Sequence, residues 1–372
     1  MSLDRRELLG HAARLAALSA AGACAASQAR GPDAAPRKLR LLILGGTAFL
    51  GPAVVEEALA RGHEMTLFNR GRTNPHLFPD LEKLRGDRND DLDALRGRSW
   101  DAVIDTSGYV PRHVRGPAEL LAPAVEHYLF ISTCSVYPDL GRLPIDESSR
   151  VGVLDDPTVE RIDGETYGPL KALCEAAAEA ALPGRVCVLR PGLIVGPRDT
   201  SDRFGYWPLR VSEGGEVLAP GEPYWETQFT DVRDLGAFCI HAIEQRLTGV
   251  FNVDGLERPV PMGELLETCR TVGASDATLT WVELGFLTEQ GVRPWMDLPA
   301  WAPPPEGLDQ VPPVSSARAL AHGMRFRPLS ETVAATLAWE RSRLPRGEPP
   351  RFGLTREREA EVLAAWRQRA GA

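Results

Sequence analysis

The feature that most constrains the fold is a run of glycines placed directly between an apolar strand and a helix. Leu39–Leu44 is apolar at every position except Arg40, which is typical of a strand buried on both faces in a parallel sheet. It is followed at once by Gly45-Gly46-Thr47-Ala48-Phe49-Leu50-Gly51, and Pro52–Arg61 then predicts a helix. Because such a turn lets the main chain approach a phosphate at a helix N-terminus, this segment predicts a pyrophosphate site for a dinucleotide.

The second predicted strand bears on which dinucleotide is bound. Glu64–Phe68 is followed by Asn69-Arg70-Gly71-Arg72. Asn69 can bind ribose hydroxyls without repelling a 2′-phosphate, and the two arginines could attract one, so NAD and NADP both remain open. Two surface arginines in a loop are the alternative. Ala48 replaces the usual middle glycine of the turn and narrows the approach. The candidate cofactor-binding residues of this region are Gly45, Gly46, Thr47, Phe49, Leu50, Gly51, Asn69 and Arg70.

Strands and helices alternate along the chain from Lys38 onward. Further short apolar runs predict strands at residues 81–86, 101–105, 128–132 and 185–190, with a helix around 167–181. This alternation predicts a doubly wound parallel α/β sheet of the Rossmann type over residues 38–195. After Gly196 the sequence becomes irregular and rich in Trp, Tyr and Pro. Residues 196–372 are therefore predicted to form a smaller substrate lobe with interleaved elements and a C-terminal helix.

A tyrosine and a lysine four residues apart are the candidate catalytic pair. Tyr167 and Lys171 lie on one face of a helix at this spacing, and Pro169 requires the helix to begin near Tyr167. A lysine cation and an oxidised nicotinamide ring would both lower the pKa of the phenol, which would then serve as a general base.

Hydroxyl and acidic side chains follow several other predicted strands. The fifth strand runs into Ser132–Tyr137 at the carboxyl edge of the sheet, where open α/β sheets bind ligands. Thr133 is predicted to share a hydrogen bond with the substrate oxygen and Tyr167. Asp87 is placed to accept from an adenine amino group, although a solvated loop carboxylate is the alternative. The candidate cofactor set is completed by Ser107, Lys171 and Pro191.

The first 29 residues have the layout of an export signal. Arg5-Arg6 precedes a weakly apolar run, Leu15–Ala26, and a small-residue site at Ser27-Gln28-Ala29, as in twin-arginine signals. An ordinary amphipathic helix is the alternative, and the loose lipobox before Cys24 makes that cysteine a candidate lipid anchor. Residues 30–37 are predicted to be a linker. The expected location is outside the cytoplasmic membrane, with the cytoplasm as the fallback.

Charge and composition exclude several function classes. Lys and Arg number 42 against 51 Asp and Glu, a formal net charge of −9, which speaks against a partner bound through nucleic-acid phosphates. No stretch reaches the roughly 18 apolar residues of a membrane span. The 6 cysteines include no C-x-x-C pair, and the histidines show no ligand spacing, so no metal site is predicted. A small-molecule substrate is expected, and the sequence is compatible with a homo-oligomer.

Together, Gly45–Gly51, Asp87, the Ser132–Tyr137 segment, Tyr167 with Lys171, and Arg190-Pro191 resemble the extended short-chain dehydrogenase/reductases. Within them the chain is similar to the NAD-dependent epimerase/dehydratase family, including isoflavone-reductase-like members, from about Lys38 to Trp339. The resemblance implies Tyr167 as base, Lys171 as its partner and Thr133 as third member.

Two positions depart from the nucleotide-sugar members of that family. Leu193 stands where an asparagine helps to hold the substrate diphosphate, and Thr227–Val232 replaces a later arginine-containing motif. A nucleotide sugar is therefore in doubt, unless other arginines substitute. The candidates for that role are Arg198, Arg203 and Arg210.

Three functions follow from these features. The first is an exported NAD(P)-dependent oxidoreductase of the epimerase/dehydratase type, which acts on a hydroxyl or carbonyl of a small, sugar-like substrate. Its cofactor would stay bound and be regenerated in each cycle, because the exported compartment lacks a nicotinamide pool. The second is a net NADPH-dependent reductase of the isoflavone-reductase-like sort. The third is a non-catalytic nucleotide- or RNA-binding protein that keeps the fold, as plastid RNA-binding relatives do.

Overall fold

The computed structural model of the protein describes residues 37–256, 258–343 and 352–370. The predicted export signal, Cys24 and residues 30–36 of the predicted linker lie outside the described residues. In chain order the described strands are β1 Arg40–Leu44, β2 Glu64–Asn69, β3 Glu82–Arg85, β4 Ala102–Asp105, β5 His127–Ile131, β6 Val186–Pro191, β7 Ile194–Val195, β8 Glu216–Pro220, β9 Glu226–Thr227, β10 Thr230–Asp231, β11 Gly249–Val253, β12 Val260–Pro261 and β13 Thr278–Val282.

The described helices alternate with these strands. They are α1 Leu50–Ala60, α2 Pro111–Leu121, α3 Tyr167–Ala181, α4 Tyr206–Ser212, α5 Val232–Glu244, α6 Met262–Gly273, α7 Leu284–Glu289, α8 Ala317–Ala321, α9 Leu329–Arg343 and α10 Arg356–Ala370. Among the described residues, none of the helices is both long enough and apolar enough to cross a lipid bilayer.

Seven parallel strands form the central sheet in the order β11-β6-β5-β4-β1-β2-β3. The doubly wound α/β prediction is confirmed by this arrangement. The strand order reverses between β1 and β4, so the connections that follow these two strands lead to opposite faces of the sheet and leave a crevice at the carboxyl ends of the strands. Leu44 at the end of β1 pairs with Phe68 on one side and with Asp105 on the other.

Helices cover both faces of the sheet, which is why β1 is apolar at every buried position. Leu41 and Ile43 point to the face covered by α1 and α5, whereas Leu42 and Leu44 point to the face covered by α2 and α3. Successive side chains of a strand alternate between faces, so a strand covered on both sides has no polar side.

The smaller lobe follows β6, but the chain does not remain in it. β8 pairs with β13 there, and the lobe core is built around large aromatic side chains such as Trp207, Phe229 and Trp301. Both α5 and β11 lie beyond residue 196 and yet belong to the sheet layer, since β11 pairs with β6. The lobe is thus interrupted in sequence by α5 and β11, which complete the sheet layer.

Candidate active site

The glycine turn after β1 packs so closely that its glycine positions have no room for a side chain. Gly45 and Gly46 have φ of 126° and 91°, in the left-handed region that favours glycine. A Cβ on Gly51 would lie 2.6 Å from the main chain of Gly46, so the first turn of α1 packs directly on the loop. Ala48 is exposed and is not among the residues with positive φ, so its methyl group is accommodated without strain.

Two asparagine side chains hold this turn in place. The Asn69 Nδ2 donates to the Gly45 carbonyl at 2.9 Å, and its Oδ1 accepts from the Gly71 N–H at 2.8 Å. The Asn74 Nδ2 donates to the Thr47 carbonyl at 2.9 Å. An ionised aspartate at position 69 could not donate to Gly45. The Asn69 carboxamide therefore stabilises the turn as well as lining the cavity beside it.

A cavity of about 440 Å³ lies over this turn at the carboxyl edge of the sheet. Gly51 and Pro191 do not line it: Gly51 packs beneath the turn, and Pro191 lines a second cavity. The Asp87 carboxylate faces the cavity and accepts from the Asn89 main-chain N–H at 3.0 Å, a hydrogen bond that lowers the pKa of Asp87. The predicted cofactor residues that line the cavity are Gly45, Gly46, Thr47, Phe49, Leu50, Asn69, Arg70, Asp87, Ser107 and Lys171.

Arg88, which lines this cavity, forms an ion pair with the buried Asp105 that sequence reasoning missed. Arg88 Nη1 lies 3.0 Å from Asp105 Oδ1, and Arg88 Nη2 donates to Ser107 Oγ at 3.0 Å. The Tyr128 hydroxyl donates to Asp105 Oδ2 at 2.8 Å, and burial together with the Asp105 charge raises the pKa of that phenol. The available signal was an acidic residue that ends the otherwise apolar strand β4.

Replacing Arg88 by Met is expected to lower the free energy of unfolding by about 3 kcal/mol or more. The fully buried Asp105 carboxylate would lose its cationic partner, and removal of one member of a buried pair leaves an uncompensated charge. Urea denaturation would measure the loss, with Arg115→Met as the control, because Arg115 is an exposed residue of α2. Equal stability of the two variants would contradict the role assigned to Arg88.

Lys171 is buried and links the loop after β4 to the end of β5. Its Nζ donates to the Gly108 carbonyl at 2.6 Å and to the Ile131 carbonyl at 2.7 Å, and it lies 4.1 Å from the centre of the Phe130 ring. Burial lowers its pKa to about 8. The ammonium thus fixes α3 against the loop after β4 and the end of β5.

The structure corrects one expectation about Tyr167. Burial raises the pKa of its phenol, and a hydrogen bond with Thr133 opposes this only in part. The expected lowering by Lys171 is not met in the protein alone, because the ammonium is directed to two main-chain carbonyls. The helix does begin at Tyr167, as Pro169 requires.

A second cavity of about 540 Å³ adjoins the first and shares Tyr167 with it. Tyr109, which is also common to both cavities, is half-exposed beside it. Thr133 and Pro191 line only the second cavity, whereas Lys171 lines only the first. The phenol of Tyr167 therefore stands on the boundary between two compartments, each large enough for part of a small ligand.

Most of the arginines expected to replace a diphosphate contact lie elsewhere. Arg210 is buried in the lobe and pairs with Glu359 at 2.6 Å, so its candidacy was wrong. Arg198 pairs with Glu56 at 2.9 Å and does not line the second cavity; only Arg203 of the three does. Leu193 packs in the apolar core of the lobe and also lines the second cavity, as does Thr227 at the start of the other departing segment.

A second buried network stands behind Thr133 and was also missed. Arg190 Nε donates to Glu175 Oε1 at 2.9 Å, and Ser132 donates to the same carboxylate oxygen. Arg190 Nη1 donates to the Tyr137 hydroxyl at 2.8 Å. This network fixes the segment that follows β5 against α3 and β6. Within the described ranges, no three His, Cys, Asp or Glu side chains converge as metal ligands would.

Comparison with known proteins supplies independent findings. The model of the NAD dependent epimerase/dehydratase family matches residues 41–254, which is more than half of the chain. Chloroplast stem-loop binding protein of 41 kDa b from Arabidopsis thaliana is 25% identical over 259 residues, and the match covers 63% of each protein. An epimerase family protein from Bos taurus is 26% identical over 233 residues, which cover 58% of this chain and 74% of that protein.

Solved structures share the fold at low sequence identity. The Bordetella bronchiseptica enzyme WbmH in complex with NAD⁺ has a TM-score of 0.58 and 19% identity, covering 82% of this chain and 99% of that chain. The enzyme WbmG of the same organism, in complex with NAD and UDP, has a TM-score of 0.60 and 19% identity, covering 85% and 97%. UDP-N-acetylglucosamine 4-epimerase from Bacillus cereus has a TM-score of 0.60 and 17% identity, covering 82% and 97%.

Proposed function

Because the chain belongs to the NAD dependent epimerase/dehydratase family, we propose that it binds NAD in the first cavity and acts on a hydroxyl-bearing small molecule in the second. The observation that carries this proposal is the position of Tyr167 on the wall common to both cavities. A phenol placed there borders the cofactor on one side and the substrate on the other.

The residues of the first cavity fit a dinucleotide. Side chains are excluded at Gly45 and Gly46, where a Cβ would lie 2.5 Å from Thr106 or 2.9 Å from Leu67. No side chain caps the N-terminus of α1, which leaves this helix end for a pyrophosphate. Asp87 would accept from the adenine amino group, while Arg70 would lie near the ribose. When bound, the dinucleotide supplies a hydride acceptor that can also return the hydride.

The chain's own contribution is to hold and move one proton. In its ionised form, Tyr167 would take the proton of a substrate hydroxyl and so become a neutral phenol, and Thr133 would donate a hydrogen bond at the same oxygen. Lys171 is a positioning residue: its contacts with Gly108 and Ile131 hold α3 so that the phenol keeps its place between the cavities. The buried surroundings limit access of water to this proton.

We propose further that residues 1–29 direct export and that the reaction is redox-neutral for the substrate as a whole. An exported chain would need to retain its dinucleotide, so that oxidation and reduction of the same molecule restore the cofactor in every cycle. Epimerisation and dehydration have this character, and a net reductase does not.

Release of the retained cofactor tests this proposal. Acid denaturation of the purified protein is expected to release about one NAD or NADH per chain, identified by mass spectrometry, and added NADPH should not be consumed stoichiometrically. Release of NADP instead would make Arg70 and Arg72 the candidate ligands of its 2′-phosphate. Stoichiometric consumption of NADPH would support the isoflavone-reductase-like alternative. No nucleotide in the denatured protein, and none bound on addition, would contradict the proposal.

A second candidate is RNA binding, which the likeness to the chloroplast stem-loop binding protein favours. The net charge of −9 opposes it, because binding to phosphates requires clustered cations. Two results together would favour RNA binding over the enzyme. A Tyr167→Phe variant would bind a stem-loop RNA in a salt-sensitive manner, and neither this variant nor the wild type would retain a cofactor.

A further inference from the structure

A buried aspartate lies in the second cavity at the end of the last sheet strand. Asp254 directly follows β11, whose Val253 pairs with Pro191 on β6. Its carboxyl group therefore packs against Gly192, where a Cβ would lie 2.1 Å from Oδ1 and 2.4 Å from Oδ2. Only a glycine at position 192 leaves room for this carboxyl group.

The main chain of Asp254 is hydrogen-bonded, but one of its two carboxyl oxygens is not. The Asp254 N–H donates to Ser316 Oγ at 2.8 Å, and the same hydroxyl donates to the Asp254 carbonyl at 2.8 Å. The residue is only 7% exposed, and Oδ1 is buried with no hydrogen-bond partner within the described part of the chain. A buried acceptor without a partner costs free energy, which a bound donor would recover.

Other charged groups near Asp254 are engaged with each other or line the same cavity. Arg190 is paired with Glu175, and Glu147 accepts the main-chain N–H of Asn252. Burial raises the pKa of Asp254 to about 7, opposed by a hydrogen bond from the Gly255 main chain.

The charges that line the second cavity disfavour a diphosphate. They are Asp254, Glu226 and Arg203, two acids against one cation, whereas Leu193 and Thr227, which begin the two departures from the diphosphate contacts, are uncharged. An anionic nucleotide would meet net repulsion here once Asp254 is ionised, above about pH 7, while hydroxyl groups would find acceptors.

We infer, on the basis of the proposed function, that Asp254 selects the substrate by accepting a hydrogen bond from a ring hydroxyl of a sugar that carries no diphosphate. The sugar lies between Asp254 and Tyr167 in the second cavity, with the reacting hydroxyl at the phenol and a second hydroxyl at the carboxyl group. The specificity of a site built to bind a hydroxyl is high, since its loss leaves a buried polar group unpaired.

Calorimetric titration of the NAD-loaded full chain with three probes tests the inference. Methyl β-D-galactoside is uncharged, glucosamine carries an ammonium group, and UDP-glucose carries a diphosphate. The uncharged glycoside is expected to bind more tightly than UDP-glucose and to lose at least about tenfold in affinity in Asp254→Ala, the size of one buried hydrogen bond. Asp155→Ala, which removes an exposed acid, is the control and should bind as the wild type does.

The outcomes separate this inference from the proposed function. Three outcomes would each overturn the inference. They are tighter binding of UDP-glucose than of the uncharged glycoside, unchanged affinity for the glycoside in Asp254→Ala, and no binding of any probe at 100 mM (about a thousandfold above a 0.1 mM Kd). If the protein bound only glucosamine, the donor to Asp254 would be an ammonium group and not a hydroxyl group, which would overturn the inference. Failure to bind NAD, measured beforehand, would instead overturn the proposed function.

A stability measurement covers the case in which Asp254→Ala folds poorly. Asp254→Asn keeps the shape and removes the charge. The raised pKa means that the folded carboxyl group resists ionisation, so its cost is absent near pH 4 and grows as the pH rises to about 7. The melting temperature of Asp254→Asn should exceed that of the wild type by at least about 2 °C at pH 8 and by a clearly smaller margin at pH 4.5. An equal difference at both pH values would show that the carboxyl group already has a partner, which overturns the inference.

Discussion

Replacement of Tyr167 by Phe is expected to lower turnover at least about a hundredfold, and as much as ten-thousandfold, without weakening NAD binding. The hydroxyl group is the only part removed, and it belongs to a residue that lines both cavities. The variant keeps the aromatic ring, so the packing of α3 and the contacts of Lys171 with Gly108 and Ile131 should persist. Turnover would be measured on the sugar that the wild type converts, and NAD affinity by fluorescence quenching.

Tyr109 provides a matched control for this experiment. Its side chain also lines both cavities, but it is 45% exposed. Tyr109→Phe should therefore retain most of the activity. If it lost as much as Tyr167→Phe, the proton would be assigned to the wrong phenol. If Tyr167→Phe kept more than about a tenth of wild-type turnover, general-base catalysis by this residue would be refuted.

Gly51→Ala is expected to lower the free energy of unfolding by about 2 kcal/mol or more and to weaken NAD binding at least tenfold. Two effects compete: alanine raises helix propensity by about 1 kcal/mol, while its Cβ would lie 2.6 Å from the main chain of Gly46. Because main-chain atoms cannot move aside as a flexible side chain would, the steric overlap is expected to outweigh the gain in helix propensity. The turn that receives the pyrophosphate would have to shift with it.

Gly285→Ala separates the two effects. Gly285 is the second residue of α7, just as Gly51 is the second residue of α1, but no atom lies within 4 Å of a Cβ built there. This variant should be neutral or gain up to about 1 kcal/mol, with unchanged NAD affinity. Thermal unfolding and titration with NAD measure both quantities. Equal behaviour of the two variants would mean that the turn is not packed as closely as the structure has it.

The strands that form the middle of the sheet could be predicted because their signals are local. A strand buried on both faces has to be apolar at successive positions, as Leu41 to Leu44 are, and glycines have to follow where the main chain turns sharply. The helix start at Tyr167 was equally accessible, because Pro169 is compatible only with a first turn. Small offsets at the ends of the strands, such as β6 extending to Pro191, have little effect on the site.

The residues that tie the site together gave no comparable signal. Arg88 lies beside Asp87 in the sequence and is 17 residues from Asp105, and nothing in that spacing indicates a pair. Arg210 was taken for a phosphate ligand, although its partner Glu359 lies 149 residues away and buries it in the lobe. Asn69 was assigned to the cofactor, whereas its carboxamide also hydrogen-bonds the glycine turn.

The sequence by itself determined the parallel α/β sheet, the glycine turn and the helix that carries Tyr167 and Lys171, because each depends on periodicity or backbone freedom within a few residues. Tertiary structure alone decided that β11 returns to the sheet, that Asp105 is paired, and that Asp254 is buried against Gly192. Partnership and burial depend on which distant segments meet, and the desolvation that governs the charge of a carboxyl group exists only after they have met.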